Sequence, residues 1–463
     1  MANSTAKGEK DVFGGAGAAE FRERRNRLRT ACPDGILVVR GATEDEAQAG
    51  TRYRQNNSFF YLTGVEAPGG FLVLLPDYVP APAGVRGALA EARELLFLPA
   101  RDPVAETWTG PKLGPGPETE ALTGMTILNS ASFIGACTEW IRRCPRVGTL
   151  LPFGPNARLT REAALIQRIV DHAPAAVFFN IAPALALLRA AKSPGEIERL
   201  RRSIAITADG QEAARAVIAQ GAGRREYEVE AAVFAAFRSQ GAVNGFPTIV
   251  GSGFNATVLH YEDNDRLMQE GDLVVVDIGA RLGHYSGDIT RTYPVGGKFS
   301  PRQREIYQLV LDAYLDVSAS YKPGKDTLQA LNDRCRQFLC RSPLRAKDHT
   351  GTEQTMDLFM PHRLGHHLGL DVHDLTALLG SNSLGVYGED GLEMPLAPGA
   401  VITVEPGLYI PSESLGVRLE DDFLVTETGL ERLGPPLPLE PDELEAIMQA
   451  RQLHPRPARS TRP

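Results

Sequence analysis

Residues 273–292 read Leu-Val-Val-Val-Asp-Ile-Gly-Ala-Arg-Leu-Gly-His-Tyr-Ser-Gly-Asp-Ile-Thr-Arg-Thr. The stretch starts as an apolar strand that carries one acid, Asp277, and a second acid, Asp288, follows eleven residues later. A turn centred on residues 282–283 predicts a hairpin in which the two acids are directly opposite on one face, with Cβ atoms about 5 Å apart. Two buried like charges repel, so the pattern favours a cation between them. A turn cap at one Asp, or neutralisation of the pair by Arg291, would be the simpler alternatives.

A second concentration of ligand groups lies in residues 361–374, which read PHRLGHHLGLDVHD. The chain has nine histidines, and four fall in this stretch: His362, His366, His367 and His373. Imidazoles this dense indicate a metal site, a proton relay or both, and the glycines allow close approach of the backbone. Taken alone, the stretch also fits a polar loop.

Two further acids have the same character as the hairpin acids. Glu405 ends one apolar strand, and Glu420 lies inside another. Arg418 is two residues from Glu420 and shares its face on a strand, so a simple salt bridge is the alternative for that acid. Asp421 and Asp422 are expected to be the exposed members of the acidic triple.

The combined donor set contains two Asp, two Glu and one His, and it is rich in oxygen. Such a set suits one or two Mn, Co, Fe or Zn ions better than it suits a structural zinc of the thiolate type. Two ions bridged by carboxylates can hold a hydroxide and polarise a carbonyl, which is the two-metal hydrolase arrangement. The sequence has no HExxH motif, so it is not a zincin.

Composition restricts the class of protein. The chain has 463 residues, so two or three domains are expected, and its net charge of -8 gives no indication of a nucleic-acid or membrane-surface partner. No apolar run is long enough to span a bilayer, and the first ten residues lack the apolar segment of a signal peptide. The five cysteines show no CxxC pattern, and we expect reduced thiols in a cytoplasmic protein.

The first part of the chain alternates between strand and helix patterns. Strands are predicted at 35–40, 71–75 and 94–98, and helices at 21–29 and 161–172. This alternation predicts an α/β domain, which we assign to residues 18–190. Residues 1–17, which are small, polar and Gly-rich, are expected to be disordered.

The second domain is assigned to residues 191–452, followed by a flexible tail at 453–463. Its start has the form of a capping box, in which Ser193 caps the helix and Glu196 reaches back, so a helix is predicted from there to about Gln220. An apolar stripe on this helix contains Ile197, Leu200, Ile204 and Ala208. A second helix is predicted at 226–240, ended by Gly241, with Val229, Val233, Phe234 and Phe237 on one face.

Taken together, these motifs resemble the aminopeptidase P and prolidase branch of the pita-bread metallopeptidases. In the C-terminal half they are FPTIVGSG (246–253), LHY (259–261), VVVDIGA (274–280), GDITRTYPV (287–295), GHHLGLDVHD (365–374), TVEPGLYI (403–410) and VRLEDDFLV (417–425). In the N-terminal half they are YRQNNSFFYLTG (53–64), RDP (101–103) and WTG (108–110). The N-terminal match favours aminopeptidase P over the dipeptide-cleaving prolidases.

The resemblance implies a fold of the α/β (α+β) class, with an N-terminal α/β domain and a C-terminal pita-bread domain of the creatinase and methionine aminopeptidase type. The implied reaction releases the N-terminal residue from a peptide with proline in second position. An Xaa-Pro dipeptidase and a non-catalytic pita-bread binding module are the alternatives. The resemblance also implies a homodimer or homotetramer, in which Trp108 reaches a neighbouring subunit's site. Residues 375–384 make the segment before Glu405 longer than is usual in the family.

The resemblance assigns the metal ligands by position. Asp277 and Asp288 would bind the first ion, with Asp288 bridging, and His366 would bind the second. Glu405 would ligate the second ion and shuttle a proton, and Glu420 would bridge both. Mn²⁺ is the expected metal, with Co²⁺, Fe²⁺ or Zn²⁺ as alternatives.

Further residues match the family's non-ligand positions. His260, His362 and His373 would contact substrate and stabilise the developing charge, as donors aimed at an oxyanion do. Tyr409 and Arg418 would form a relay that orients the ligands. The expected partner is a peptide substrate.

Overall fold

In a computed structural model of the chain, the described residues are 17–46, 52–80, 92–152, 156–375 and 395–453. They form two compact units, the first ending at Arg189 and the second starting at Ala190. The segments predicted as a disordered start, an extension and a flexible tail lie outside the described residues, except for Gly17, Leu375 and Leu453. No helix in the described part of the chain is both long and apolar enough to cross a membrane.

The first unit contains one mixed sheet and seven helices in its described part. The strands are β1 Ile36–Arg40, β2 Phe71–Leu74, β3 Glu94–Leu98, β4 Thr126–Asn129, β5 Arg146–Thr149 and β6 Val177–Asn180. Their order is β4-β3-β2-β1-β5-β6, antiparallel in the middle and parallel at both sides. The helices are α1 Ala18–Ala31, α2 Asn57–Thr63, α3 Pro103–Thr109, α4 Pro117–Thr123, α5 Phe133–Ile141, α6 Arg161–His172 and α7 Ala182–Ala190.

The predicted elements of this unit are confirmed. The apolar runs of β1, β2 and β3 are buried because these strands are inside the sheet, where both neighbours satisfy their backbone groups. Helix α6 has the predicted bounds, since the side chain of Thr160 caps it by accepting from the backbone N–H of Ala163. Trp140 of α5 packs edge-on against Phe97 of β3 and is fully buried.

The second unit starts with α8 Pro194–Ile218, whose capping box between Ser193 and Glu196 is present as predicted. Leu200, Ile204 and Ala208 are buried along it. Helix α9 spans Glu226–Ser239.

On α9 the predicted apolar face is partly wrong. Val229, Val233 and Phe237 recur every four residues and are buried, but Phe234 is 49% exposed. A helix advances about 100° per residue, so Phe234 points away from the face that its neighbour Val233 buries. Gly241 follows the helix with φ of +81°, as predicted for a stop residue.

The strands of the second unit are β7 Val243–Asn244, β8 Ile249–Ser252, β9 Leu273–Ile278, β10 Ala280–Leu282, β11 Tyr285–Ser286, β12 Ile289–Pro294, β13 Arg345–Lys347, β14 Glu353–Thr355, β15 Val401–Val404, β16 Gly407–Ile410, β17 Leu415–Arg418, β18 Asp421–Val425 and β19 Leu430–Arg432. They form the sheets β12-β9-β8, β11-β10-β7, β15-β18-β19, β16-β17 and β13-β14, all antiparallel as far as the described residues go. The remaining helices are α10 Pro301–Ser320, α11 Leu328–Arg341 and α12 Pro441–Leu453.

The register of the first hairpin differs from the prediction. Strand β9 pairs with β12 so that Asp277 is opposite Thr290, and the turn is formed by Gly283 and His284. Gly283 has φ of +62°, which favours glycine, and this places the turn one residue later than expected. Direct opposition of Asp277 and Asp288 is therefore wrong. The pairing is shifted by two residues, so the period-2 alternation of a strand keeps both acids on the same face.

Candidate metal centre

Four acids of the second unit lie at the ends of strands. Asp277 is near the end of β9, and Asp288 immediately precedes β12. Glu405 immediately follows β15, and Glu420 lies in the short connection between β17 and β18. Glu420 is drawn toward the hairpin because its N–H donates to the carbonyl of Thr290 at 3.1 Å.

The histidine stretch runs alongside β15 and adds to that sheet's edge. The N–H of Leu368 donates to Val401 O, and the N–H of Thr403 donates to His366 O, both at 2.9 Å. Gly365 makes this approach possible, because a Cβ there would lie 2.1 Å from the carbonyl oxygen of Thr403. The backbone pairing therefore fixes the position from which the His366 ring reaches the acids.

Asp288, His366 and Glu420 each offer a ligand atom, and the three atoms lie within 4.8 Å of one another. His366 Nε2 is 3.5 Å from Asp288 Oδ2 and 3.5 Å from Glu405 Oε1. Asp277 joins the group through its side-chain contact with Asp288. The five residues predicted as ligands are thus brought together from five separate segments.

The electrostatics of the cluster favour a bound cation. Burial raises the pKa of Asp288 and of Glu420 well above the ordinary range, and the neighbouring carboxylates raise both further. Burial also raises the pKa of Glu405 to about 7. Asp277 Oδ1 is buried and has no hydrogen-bond partner in the described part of the structure. Clustered buried oxygens with one imidazole fit hard or borderline divalent cations.

A hydrogen-bonded chain connects the acids to His362. Arg418 Nη2 donates to Asp277 Oδ2, and Arg418 Nη1 donates to the hydroxyl of Tyr409 at 2.7 Å. The Tyr409 hydroxyl lies 2.9 Å from His362 Nε2, and His362 Nδ1 lies 2.8 Å from the carbonyl of Arg363. Only the Nδ1–H tautomer satisfies all four contacts. Burial, with the charge of Arg418 adding to it, lowers the pKa of His362 to about 4, so the ring is neutral.

Of the other histidines near the cluster or in the histidine stretch, His373 and His260 are exposed and His367 is buried. His373 is exposed, and its ring centroid is 4.2 Å from that of His366. The charge of His366 and then burial lower the pKa of His373 to about 4. His260 is exposed, and its charge contributes to the lowered pKa values of His362 and His373. His367 is buried, and in the described structure its Nδ1 has no hydrogen-bond partner.

Two threonines that the sequence reasoning missed hold the acids in place. Thr290 Oγ1 donates to Glu420 Oε2 at 2.6 Å and accepts from Arg418 Nε at 3.1 Å. Thr403 Oγ1 donates to Glu405 Oε1 at 3.2 Å. Each threonine is two residues from one of the acids, and strand periodicity puts residues two apart on one face. This two-residue spacing was the feature of the sequence that could have identified the two threonines.

The predicted exposure of Asp421 and Asp422 is wrong. Both are buried, because β18 is the middle strand of its sheet. Arg291 Nη2 contacts both oxygens of Asp421 at 2.8 and 3.0 Å, and the hydroxyl of Tyr314 donates to Asp421 at 2.7 Å. Asp422 Oδ2 accepts from the backbone N–H of Asp288 at 3.0 Å. Arg291 therefore neutralises Asp421 rather than the hairpin acids.

Comparison with known proteins agrees with this architecture. Residues 198–427 match the model of metallopeptidase family M24, and residues 21–142 match that of the aminopeptidase P N-terminal domain. The Xaa-Pro aminopeptidase of Escherichia coli (strain K12) is 33% identical, and the alignment covers 93% of this chain and 98% of that protein.

Two solved structures of Escherichia coli aminopeptidase P are also similar. One is zinc-substituted and in complex with product, and the other contains the inhibitor Pro-Leu. Each is 32% identical with a TM-score of 0.76 and covers 94% of this chain. They cover 98% and 99% of the solved chains respectively. The predicted fold class is thereby confirmed, with an N-terminal α/β domain and a C-terminal pita-bread domain. The chain belongs to metallopeptidase family M24, in its aminopeptidase P and prolidase branch.

Proposed function

We propose that this protein is a metal-dependent exopeptidase that removes the N-terminal residue from peptides with proline in second position. The observation that carries the proposal is the convergence of Asp288, His366 and Glu420 in a chain that aligns over nearly its full length with an Xaa-Pro aminopeptidase. Proline has no N–H and a fixed φ, so general peptidases fit it poorly and a dedicated site is needed.

The proposed ligands of two divalent cations are Asp277, Asp288, His366, Glu405 and Glu420. When bound, such ions lower the pKa of a water molecule and polarise the scissile carbonyl. Mn²⁺ is the metal we propose, with Co²⁺, Fe²⁺ and Zn²⁺ as alternatives, because the donor set is mainly carboxylate oxygen. The zinc-substituted solved relative supports a site of this kind in that protein.

The contacts support the roles that we propose for the remaining residues. Glu405 would accept the proton of the attacking water. Its Oε1 lies 3.5 Å from His366 Nε2 and its Oε2 lies 3.9 Å from His362 Nδ1, so its carboxylate lies between a proposed metal ligand and a proposed substrate contact. His362, held as a neutral ring by the Arg418–Tyr409 chain and the carbonyl of Arg363, would contact the peptide. The exposed rings of His373 and His260 would stabilise the oxyanion. A residue that donates to developing charge accelerates the chemical step more than it tightens binding.

A small peptide panel tests the proposed function. The metal-loaded protein is incubated with an Xaa-Pro dipeptide, an Xaa-Pro-Xaa-Xaa tetrapeptide and the matching Xaa-Ala-Xaa-Xaa control, and the released residue is measured. We expect release from the proline tetrapeptide and not from the alanine control. Cleavage of the dipeptide alone would establish a dipeptidase. A purified protein that binds no divalent ion would favour a non-catalytic module.

We also propose a cytoplasmic homo-oligomer, a dimer or tetramer. All five cysteines are free thiols, as expected in a reducing compartment. Trp108 is 87% exposed on α3, which is consistent with a contact to a second copy. Light scattering of the eluting protein measures the oligomer, and a monomer would contradict this part of the proposal.

Replacement of His373 by alanine should lower kcat by about 10²-fold or more while the metal content stays unchanged. The reason is that the His373 ring lies 4.2 Å from that of His366 and is exposed, so a substrate bound at the cluster could contact it. Metal analysis and steady-state kinetics measure the two effects. His172→Ala, the same change at an exposed histidine of α6, is the matched control and should leave both unchanged. Loss of metal in His373→Ala would show that this histidine is a ligand.

A further inference from the structure

A buried ion pair lies beside the histidine stretch. Lys192 Nζ is 3.1 Å from Asp374 Oδ2, and both side chains are only 1% exposed. Nζ also approaches the carbonyl of Ala190 at 3.4 Å. A buried pair gains little net stability over apolar side chains, because both ions lose their hydration. Its presence next to the site therefore calls for a reason other than stability.

The carboxylate of Asp374 organises the turn that separates His366 from His373. Asp371 N–H donates to Asp374 Oδ1 at 3.2 Å, and Asp374 N–H donates to His367 O at 2.9 Å. These contacts close a loop between His367, which follows His366, and Asp374, which follows His373. The rings of His366 and His373, each next to one end of this closure, are 4.2 Å apart.

Lys192 also contacts the chain at the C-terminal end of residues 375–398. Its backbone N–H donates to the carbonyl of Gly399 at 2.8 Å, and Ala191 forms a β-bridge with Ala400. Ala400 immediately precedes β15, and Glu405 immediately follows that strand. One residue thus contacts both Asp374 and Gly399, which flank residues 375–398.

We propose that Lys192 and Asp374 are positioning residues for His373. By joining Asp374 to the chain at Gly399, the pair fixes the His373 ring relative to His366. The inference rests on the proposed function, in which His373 contacts the substrate. The competing interpretation is that the pair only contributes to folding.

A double-mutant cycle with metal-loaded, full-length protein separates the two interpretations. The variants are Lys192→Met/Asp374→Asn, His373→Ala and their combination. The paired change leaves no charge buried alone and nearly keeps both shapes. We expect it to lower kcat by about 10-fold to 100-fold with unchanged metal content, since a displacement of about 1 Å can cost that much. In the His373→Ala background the same change should lower kcat by less than about twofold, because the residue that it positions is absent.

Arg25→Met is the matched control, because it removes the cation of a buried ion pair in the first unit, where Arg25 contacts Glu94 at 2.7 Å. It should lower the melting temperature with equal effects on kcat in both backgrounds. If the double variant does not fold, Lys192→Arg, which keeps the charge but changes the donor geometry, is put through the same cycle.

Two results would overturn the inference, and they are distinguishable. If His373→Ala lowers kcat as expected and the paired change keeps wild-type kcat, or multiplies the loss independently, the pair is structural only. If His373→Ala itself keeps wild-type turnover, the role proposed for His373 is wrong and the inference fails with it.

Discussion

Replacement of Glu420 by alanine is expected to remove the bound metal and to lower kcat/KM by about 10³-fold or more. Glu420 is buried, offers a ligand atom within 4.8 Å of those of Asp288 and His366, and is proposed to bridge both ions. Loss of a bridging ligand forfeits several kcal/mol of transition-state stabilisation, and about 1.4 kcal/mol corresponds to tenfold in rate. Elemental analysis of the purified variant and kinetics on a proline tetrapeptide measure the two losses.

Glu431→Ala is the matched control for this prediction. Glu431 belongs to β19 in the same unit and makes an exposed ion pair with Arg201, which contributes at most about 1 kcal/mol. The control should keep its metal and its activity. Metal content and kcat/KM close to wild type in Glu420→Ala would contradict the proposed ligand set, whereas a global loss of circular dichroism would show that the variant had unfolded instead.

Replacement of Arg291 by methionine is expected to lower the free energy of unfolding by about 3–5 kcal/mol. The guanidinium contacts both oxygens of Asp421 and donates to the carbonyl of Glu420 at 2.7 Å, and the pair is almost fully buried. Without it, Asp421 keeps the Tyr314 hydroxyl and the more exposed Arg432 at 3.6 Å, but loses its buried bidentate charge partner. Urea denaturation of the metal-free variant measures this loss, so that metal binding does not add to the stability.

An exposed pair provides the comparison. Arg302→Met breaks the contact between Arg302 and Glu413, which is partly exposed, and should cost less than about 1 kcal/mol. The double change Arg291→Met/Asp421→Asn should recover part of the stability, because no charge is then buried alone. A loss below about 1 kcal/mol in Arg291→Met would show that the buried pair is not what stabilises β18 against the hairpin.

These two predictions concern one structural arrangement. The acids proposed to bind metal are buried and repel one another, so the metal-free site destabilises the fold around it. Arg418 offsets part of this cost through its contact with Asp277, while Arg291 neutralises Asp421 next to Glu420. The threonines add directional hydrogen bonds to the carboxylates without adding charge. The centre therefore has its geometry fixed before a cation arrives.

The elements that follow from local patterns were predicted well. The capping box at Ser193 and Glu196 and the bounds of α6 depend on residues close in sequence, so the sequence contains the whole signal. The errors occur where the partner is distant. The face of Phe234 depends on what packs against α9, and the exposure of Asp421 depends on Arg291, which is 130 residues away.

The sequence by itself determined the candidate metal ligands, since acids inside apolar strands and a dense histidine stretch are costly to bury without a cation. It also determined the shared face of Asp277 and Asp288, because a two-residue shift in register preserves strand alternation. Only the tertiary structure decided how five segments meet, which threonines and arginines hold them, and that Lys192 reaches Asp374. The physical reason is that these contacts join residues far apart in the chain, and their distances follow from sheet register and strand packing rather than from local propensity.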